Sequence, residues 1–215
     1  MIFIFQITTI ILSYIIGSFP TAYLLVKLVK QVDIRHYGSG NVGATNVFRI
    51  IGVWGFIITL LVDIFKGILP VVLVSVIFTA ASGGFPIDLV RILCVVTVIC
   101  GHNWPVFLRF KGGKGVATSA GAFFALVPYA MIYATIVWIL IFLITKVVSL
   151  SSMLSSVFLT ILLFVFNESL LIKLFGVLLT VILIWRHKEN IKRLLAGKER
   201  VMTEMKVTID EKKQL

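Results

Sequence analysis

The stretch Val53–Thr79, VWGFIITLLVDIFKGILPVVLVSVIFT, decides what kind of molecule this is. Its only charges are Asp63 and Lys66; nearly everything else is apolar. About 20 apolar residues in a helix cross the hydrocarbon core of a bilayer, and this run is longer. Six more apolar runs surround it. They are Ile2–Val29 (broken near Gly17-Ser18-Phe19-Pro20), Leu89–Phe107, Val116–Val127, Tyr129–Thr145, Met153–Phe166 and Leu170–Trp185. Composition agrees: 60% of the 215 residues are hydrophobic and 13% charged, with mean hydropathy +1.10. A soluble domain carries about 25% charged residues. The expectation is an all-α polytopic membrane protein of about seven transmembrane helices. Residues 1–215 read as one integral membrane domain, with a polar tail over 200–215. Val116–Val127 is short and reads as a span or as a half-span shielded by its neighbours.

Lysine and arginine give the orientation. Of 20 such residues, 17 fall after the first, third, fifth and seventh runs, from Lys27 to Arg49, Arg109 to Lys114, at Lys146, and from Arg186 onward. Positive residues collect on the cytoplasmic side. The N-terminus is therefore expected outside and the C-terminus in the cytoplasm. The net charge of +11 follows from that bias and from anionic substrate. Nucleic acid is not expected, because no polar domain is large enough to dock it. No charged segment precedes Ile2, so the first run reads as a retained span. Cys94 and Cys100 lie within one apolar run and read as small buried hydrophobes.

Three polar segments fall on the expected cytoplasmic side. The first runs from Tyr37 to Arg49 and holds three glycines with Ser39, Asn41, Thr45 and Asn46. If Ala44–Arg49 is helical, Thr45 and Arg49 share a face that suits an oxyanion. The second runs from Gly101 to Thr118. Its Lys111, Gly112, Gly113, Lys114 and Gly115 lead into the fourth apolar run. A glycine-rich turn at a helix N-terminus is a phosphate cradle, though the spacing is not that of a Walker A loop. The third runs from His187 to Glu199, with His187 and Asn190 on one face. Each also has a bland reading: a capped loop, a turn with topogenic lysines, and a basic helix lying on anionic lipid. His36 reads as solvated. His102 reads as a base or as a support for its loop. Asp63 and Lys66 are spaced i, i+3 and can pair within the span, as intramembrane charges usually do. They read as structural or as a border of the site. No grouping of Asp, Glu or His suggests a metal, and no Ser–His–acid spacing suggests an acyl-enzyme. Expected, then, is a site that holds anions without metal or cofactor.

Together Gly38–Asn46 with Arg49, Gly101–Pro105 through Phe110–Thr118, and His187 with Asn190 through Glu199 resemble the motifs of the bacterial acyl-phosphate:glycerol-3-phosphate acyltransferases (the PlsY family). The stretches Ser18–Tyr23 and Asp63–Gly67 are also similar to it. The resemblance covers nearly the whole chain without departure from the motifs. It implies a seven-span protein of the bacterial inner membrane with its active site facing the cytoplasm. The implied reaction moves a fatty acyl group from acyl phosphate to the 1-hydroxyl of glycerol 3-phosphate, giving lysophosphatidic acid and phosphate. Neither acyl-CoA nor acyl carrier protein is the implied donor, and the His-x4-Asp pair of other glycerol-3-phosphate acyltransferases is absent. Carried over by motif, Ser39, Arg49, Lys114, His187 and Asn190 serve glycerol 3-phosphate. Thr45, Asn46 and the Gly112–Gly115 turn serve acyl phosphate, with Asn41 and Lys111 as further contacts. Lys114, His187, Asn190 and Ser39 are the residues expected at the chemistry. The rival class is an organic-phosphate transporter, which would show a midplane site and inverted repeats.

Overall fold

The computed structural model of the chain describes residues 1–78 and 84–202. All regular structure among the described residues is helical. The first apolar run forms α1 (Ile2–Ser18) and α2 (Thr21–Lys30). Pro20 separates them: with no N–H to donate, it cannot continue α1. Then come α3 (Ala44–Ile51), α4 (Val53–Phe78), α5 (Ile87–Asn103) and α6 (Val116–Leu126). The chain ends through α7 (Pro128–Thr145), α8 (Val148–Val165), α9 (Leu170–Arg186) and α10 (Lys188–Leu195).

Five segments are long and apolar enough to cross a membrane: Ile2–Lys30, Val53–Val74, Ile87–Leu108, Pro128–Thr145 and Val148–Val165. α9 and α10, bent by 59° at His187, make a sixth if taken together. α6 has 11 residues. At 1.5 Å per residue it reaches about half of a 30 Å hydrocarbon layer. The short reading of the fourth run therefore holds. Residues Thr79 to Gly83, at the end of the second run and into the loop that follows, lie outside the described residues. So does the polar tail beyond Met202.

Two boundaries differ from the apolar pattern. In the third apolar run the helix α5 stops at Asn103 rather than Phe107, because Pro105 disfavours the helical conformation at Trp104. Residues Val106–Leu108 form a single 3-10 turn. α8 starts five residues before Met153, since Ser151 and Ser152 point inward and return their hydroxyls to the carbonyls of Val147 and Val148. Polar residues thus extend the helix instead of ending it.

The polarity is that of a lipid-solvated protein. Ile4, Ile11, Leu61, Val76, Ile144 and Leu170 are exposed, whereas Ser13, Asp63, Lys66, Ser151 and Ser155 are buried. Lipid is as apolar as leucine, so helix association rests on close packing and on internal hydrogen bonds. Glycines provide the close approach at two crossings. Between α1 and α5, a Cβ at Gly17 would overlap the Val98 carbonyl, and one at Gly101 the Tyr14 carbonyl. Between α4 and α6, Gly67 lies on the Thr118 carbonyl and Gly121 on that of Ile64. Those two crossings hold the glycine-rich turn, which joins α5 to α6, against α1 and α4. Substituting Gly121 by Val should cost roughly 1–3 kcal/mol of overpacking and lower the thermal midpoint in detergent. An unchanged midpoint would contradict this crossing.

Candidate active site

The three polar segments meet around a cavity of about 780 Å³. α3 brings Thr45 and Arg49, spaced as i, i+4, to its wall. The loop before α3 adds Ser39 and Asn41. The turn into α6 adds Gly112, Lys114 and Gly115, and the bend between α9 and α10 adds His187 and Asn190. Gly115 has φ +77 and caps α6. A residue with a Cβ would be strained there and would crowd the Asn103 amide oxygen. The first-turn amides of α6 have no helical partner of their own, and Val116 and Ala117 face the cavity. That is the geometry of an anion cradle.

Lys114 is the centre of the polar end. Its Nζ donates to Asn190 Oδ1. Asn190 Nδ2 donates to Glu199 Oε1 (2.6 Å), which also accepts from Ser149 Oγ (3.0 Å). Arg193 Nε donates to Glu199 Oε2 at 2.8 Å. Five cations line the cavity: Arg49, Lys114, Arg186, Arg193 and Arg200. Its carboxylates are already engaged, Asp63 with Lys66, Glu189 with Lys192 and Glu199 with Arg193. Positive charge is therefore in excess, and it is partly desolvated. Burial, then repulsion by Arg193, pulls Lys114 down to about 8 from its usual 10.5; Glu199 pulls the other way. Burial also lowers Arg49, with Arg200 adding repulsion. Both shifts arise first from burial, with repulsion among neighbouring cations adding to it.

His187 is buried, and its Nδ1 lies 2.8 Å from the Leu183 carbonyl. A carbonyl only accepts, so the proton sits on Nδ1 and Nε2 is the acceptor. Arg186 Nη2 donates to the carbonyls of Asn103 (3.4 Å), Gly112 (3.3 Å) and Gly113. Its guanidinium stands over the Trp104 ring. Arg186 thus braces the turn that carries Lys114.

Not every residue expected at the site reaches the cavity. Lys111 is exposed and outside its lining. Gly113 packs instead beneath the turn, where a Cβ would overlap the His102 ring. Asn46 lines the cavity but spends its amide on the preceding loop: Nδ2 donates to the carbonyls of Tyr37 (3.0 Å) and Ile34 (3.3 Å), and Oδ1 accepts from the Ser39 N–H (2.9 Å). Conversely, Arg186, Arg193, Glu199 and Arg200 belong to the cavity wall. Arg193 and Glu199 lie within the third polar segment of the sequence, whereas Arg186 and Arg200 read there only as part of a basic flank. Among the described residues no three His, Cys, Asp or Glu side chains stand together as metal ligands.

Away from the cations the cavity runs between α6, α7, α8 and α9. Its wall there includes Phe123, Met131, Ile139, Leu159 and Leu179. One void thus offers a charged mouth and an apolar interior, the shape of a phosphorylated amphiphile. Fold and site define an integral membrane protein with one cavity that is cationic at its mouth and apolar within.

The chain belongs to the glycerol-3-phosphate acyltransferase family, whose model matches residues 7–197. A glycerol-3-phosphate acyltransferase of Thermoanaerobacter pseudethanolicus is 39% identical over 195 residues, covering 91% of this chain and 94% of the relative. A glycerol-3-phosphate acyltransferase 2 of Bacillus anthracis is 42% identical, covering 90% and 97%. The crystal structure of PlsY, an integral membrane glycerol 3-phosphate acyltransferase, in its glycerol 3-phosphate form superposes with TM-score 0.83 at 35% identity. It covers 91% of this chain and 94% of that one. The lysophosphatidic acid form gives 0.80 at 33%.

A phosphate bound at Lys114 favours the protonated amine, so binding must weaken once the free protein loses that proton. Glycerol 3-phosphate affinity, measured by calorimetry in detergent, should be level between about pH 7 and 8, where the phosphate is already a dianion, and fall as pH rises through about 8. In Lys114→Met the affinity should be lower and this pH dependence gone. A fall that begins only near pH 10 would contradict the desolvated Lys114.

Proposed function

We propose that this chain transfers a fatty acyl group from acyl phosphate to the 1-hydroxyl of glycerol 3-phosphate, releasing lysophosphatidic acid and phosphate. The observation that carries the reading is the single cavity with its cation-rich mouth and apolar interior. A glycerol 3-phosphate head needs only the mouth; an acyl donor needs both. The relatives named for glycerol 3-phosphate acylation support the acceptor. The acyl-phosphate donor follows from the resemblance of the three motifs and from the number of cations, which suits two phosphate groups at once. The mouth faces the cytoplasm of a bacterial inner membrane in this reading; the 17 of 20 Lys and Arg residues grouped on that side support it.

Two anions repel, and fixed cations and amides offset that repulsion without reorganising during the reaction. Ser39, Arg49 and Lys114 hold the glycerol 3-phosphate, and the amides of Lys114, Gly115 and the first turn of α6 receive the donor phosphate with Thr45 and Asn41. His187 Nε2 accepts from the acceptor hydroxyl and orients it. The hydroxyl oxygen attacks the acyl carbon, and the bond from that carbon to the phosphate oxygen breaks. The hydroxyl proton passes to the departing phosphate, already a good leaving group. Lys114 neutralises the charge that develops there.

Purified protein given acyl phosphate and glycerol 3-phosphate in chelator should form lysophosphatidic acid, and Lys114→Ala should lose more than about 100-fold, the scale of one preorganised electrostatic group. Lys114→Ala near the parent rate would refute the site. In the same assay His187→Ala should keep measurable turnover; complete loss with both substrates still bound would make His187 the base. Ala120 faces the cavity from α6. Ala120→Phe should raise KM for long-chain donors while sparing short ones, and an equal effect on all chain lengths would contradict a tail lying there.

A further inference from the structure

The intramembrane pair Asp63–Lys66 is not used by the chemistry above, yet it lies directly below the turn that carries Lys114. Lys66 Nζ stands 2.7 Å from Asp63 Oδ1 and donates to the Phe19 carbonyl at 3.1 Å. Phe19 lies at the break between α1 and α2, where its carbonyl also accepts the Thr21 N–H at 3.1 Å. Thr21 Oγ1, on the far side of that break, donates to the same Asp63 oxygen at 3.3 Å. His102 Nδ1 is 3.8 Å from it. All four side chains are buried.

The His102 ring stands between this cluster and the turn. On its other side Nε2 lies against Gly113, so close that no Cβ would fit. The His102 carbonyl accepts the Gly113 N–H at 3.1 Å, and the Asn103 carbonyl accepts the Gly112 N–H at 3.3 Å. The height of the turn is thus set from below by a ring that packs beside Asp63, with Nδ1 3.8 Å from its carboxylate. Asp63 and His102 also reach the wall of the large cavity. A purely structural ion pair needs only to be paired; it need not sit under the one turn that carries the pocket's central cation.

We infer that Asp63 is a positioning residue for the acyltransferase: with Lys66 and Thr21 it fixes His102, and through His102 it sets the place of the Gly112–Lys114 turn. The inference rests on the proposed acylation of glycerol 3-phosphate. It gives the broken first span a role, since the Phe19 carbonyl, turned inward at the break, anchors Lys66. It also explains why residue 113 must be glycine.

Removing both charges separates positioning from folding. Asp63→Leu/Lys66→Met leaves no unpaired charge in the membrane, so its thermal midpoint in detergent should stay close to that of the parent. Its KM for glycerol 3-phosphate should nevertheless rise at least tenfold, with kcat falling less, because the turn is displaced rather than lost. Asp63→Glu, which keeps the charge one methylene further out, is the second variant in case the first does not fold. It should remain folded and show a smaller rise in the same KM. A near-parental KM in a folded variant of either kind would overturn the inference and leave the pair as packing alone. A parent protein that makes no product would refute the acylation reading itself, a result separable from any difference between parent and variant.

Discussion

Lys114 is held by Asn190, and Asn190 by Glu199; the pocket depends on that chain of contacts. A lysine at the end of a flexible stem is a poor anion receptor unless something fixes it, because ordering such a side chain costs about 1.5–2 kcal/mol. Here a neutral amide fixes it, and the carboxylate sits one residue further away. Had Glu199 met Lys114 directly, the charge meant for a phosphate would already be cancelled. The intervening amide holds the lysine in place and keeps Glu199 from pairing with it directly. Desolvation by the surrounding wall then makes each cation seek an anion more strongly than it would in water.

The membrane imposes the rest. Without water, every turn that is not helical must find its hydrogen bonds inside the protein. Arg186 satisfies three carbonyls of the turn between α5 and α6. Asn46 satisfies the loop before α3. α6, only 11 residues long, leaves room at its N-terminus for a pocket at depth, and the glycine crossings with α4 allow it to lie close enough to be shielded. The cavity opens beside a helix that is short for the hydrocarbon layer.

Much of this was legible in the residues. The seven apolar runs each became helix, the break at Pro20 appeared where proline demands it, and the i, i+3 spacing of Asp63 and Lys66 became an ion pair. Ten residues named from the three motifs line one cavity, though they are spread from Ser39 to Asn190. What pattern could not give was direction. Lys111 and Lys114 look alike in sequence, yet one faces outward and the other inward, because Gly112 and Gly113, lacking Cβ atoms, pack against His102 and Pro105 between them. Arg186 and Arg200 read as topogenic charges, since nothing local distinguishes a cation that faces lipid head groups from one that faces a cavity. Asn46 reads as a ligand, but its loop consumes its hydrogen bonds. The serines of α8 read as a helix boundary until partners at i−4 and at Glu199 account for them.

A crystal structure of this protein with glycerol 3-phosphate bound tests the central claim most directly. The account requires the phosphate to lie within hydrogen-bond distance of Lys114 Nζ and the Arg49 guanidinium, with the glycerol hydroxyls turned toward His187. Phosphate density seated on Lys111 or elsewhere outside the cavity, with the Lys114 amine still turned only to Asn190, would contradict it.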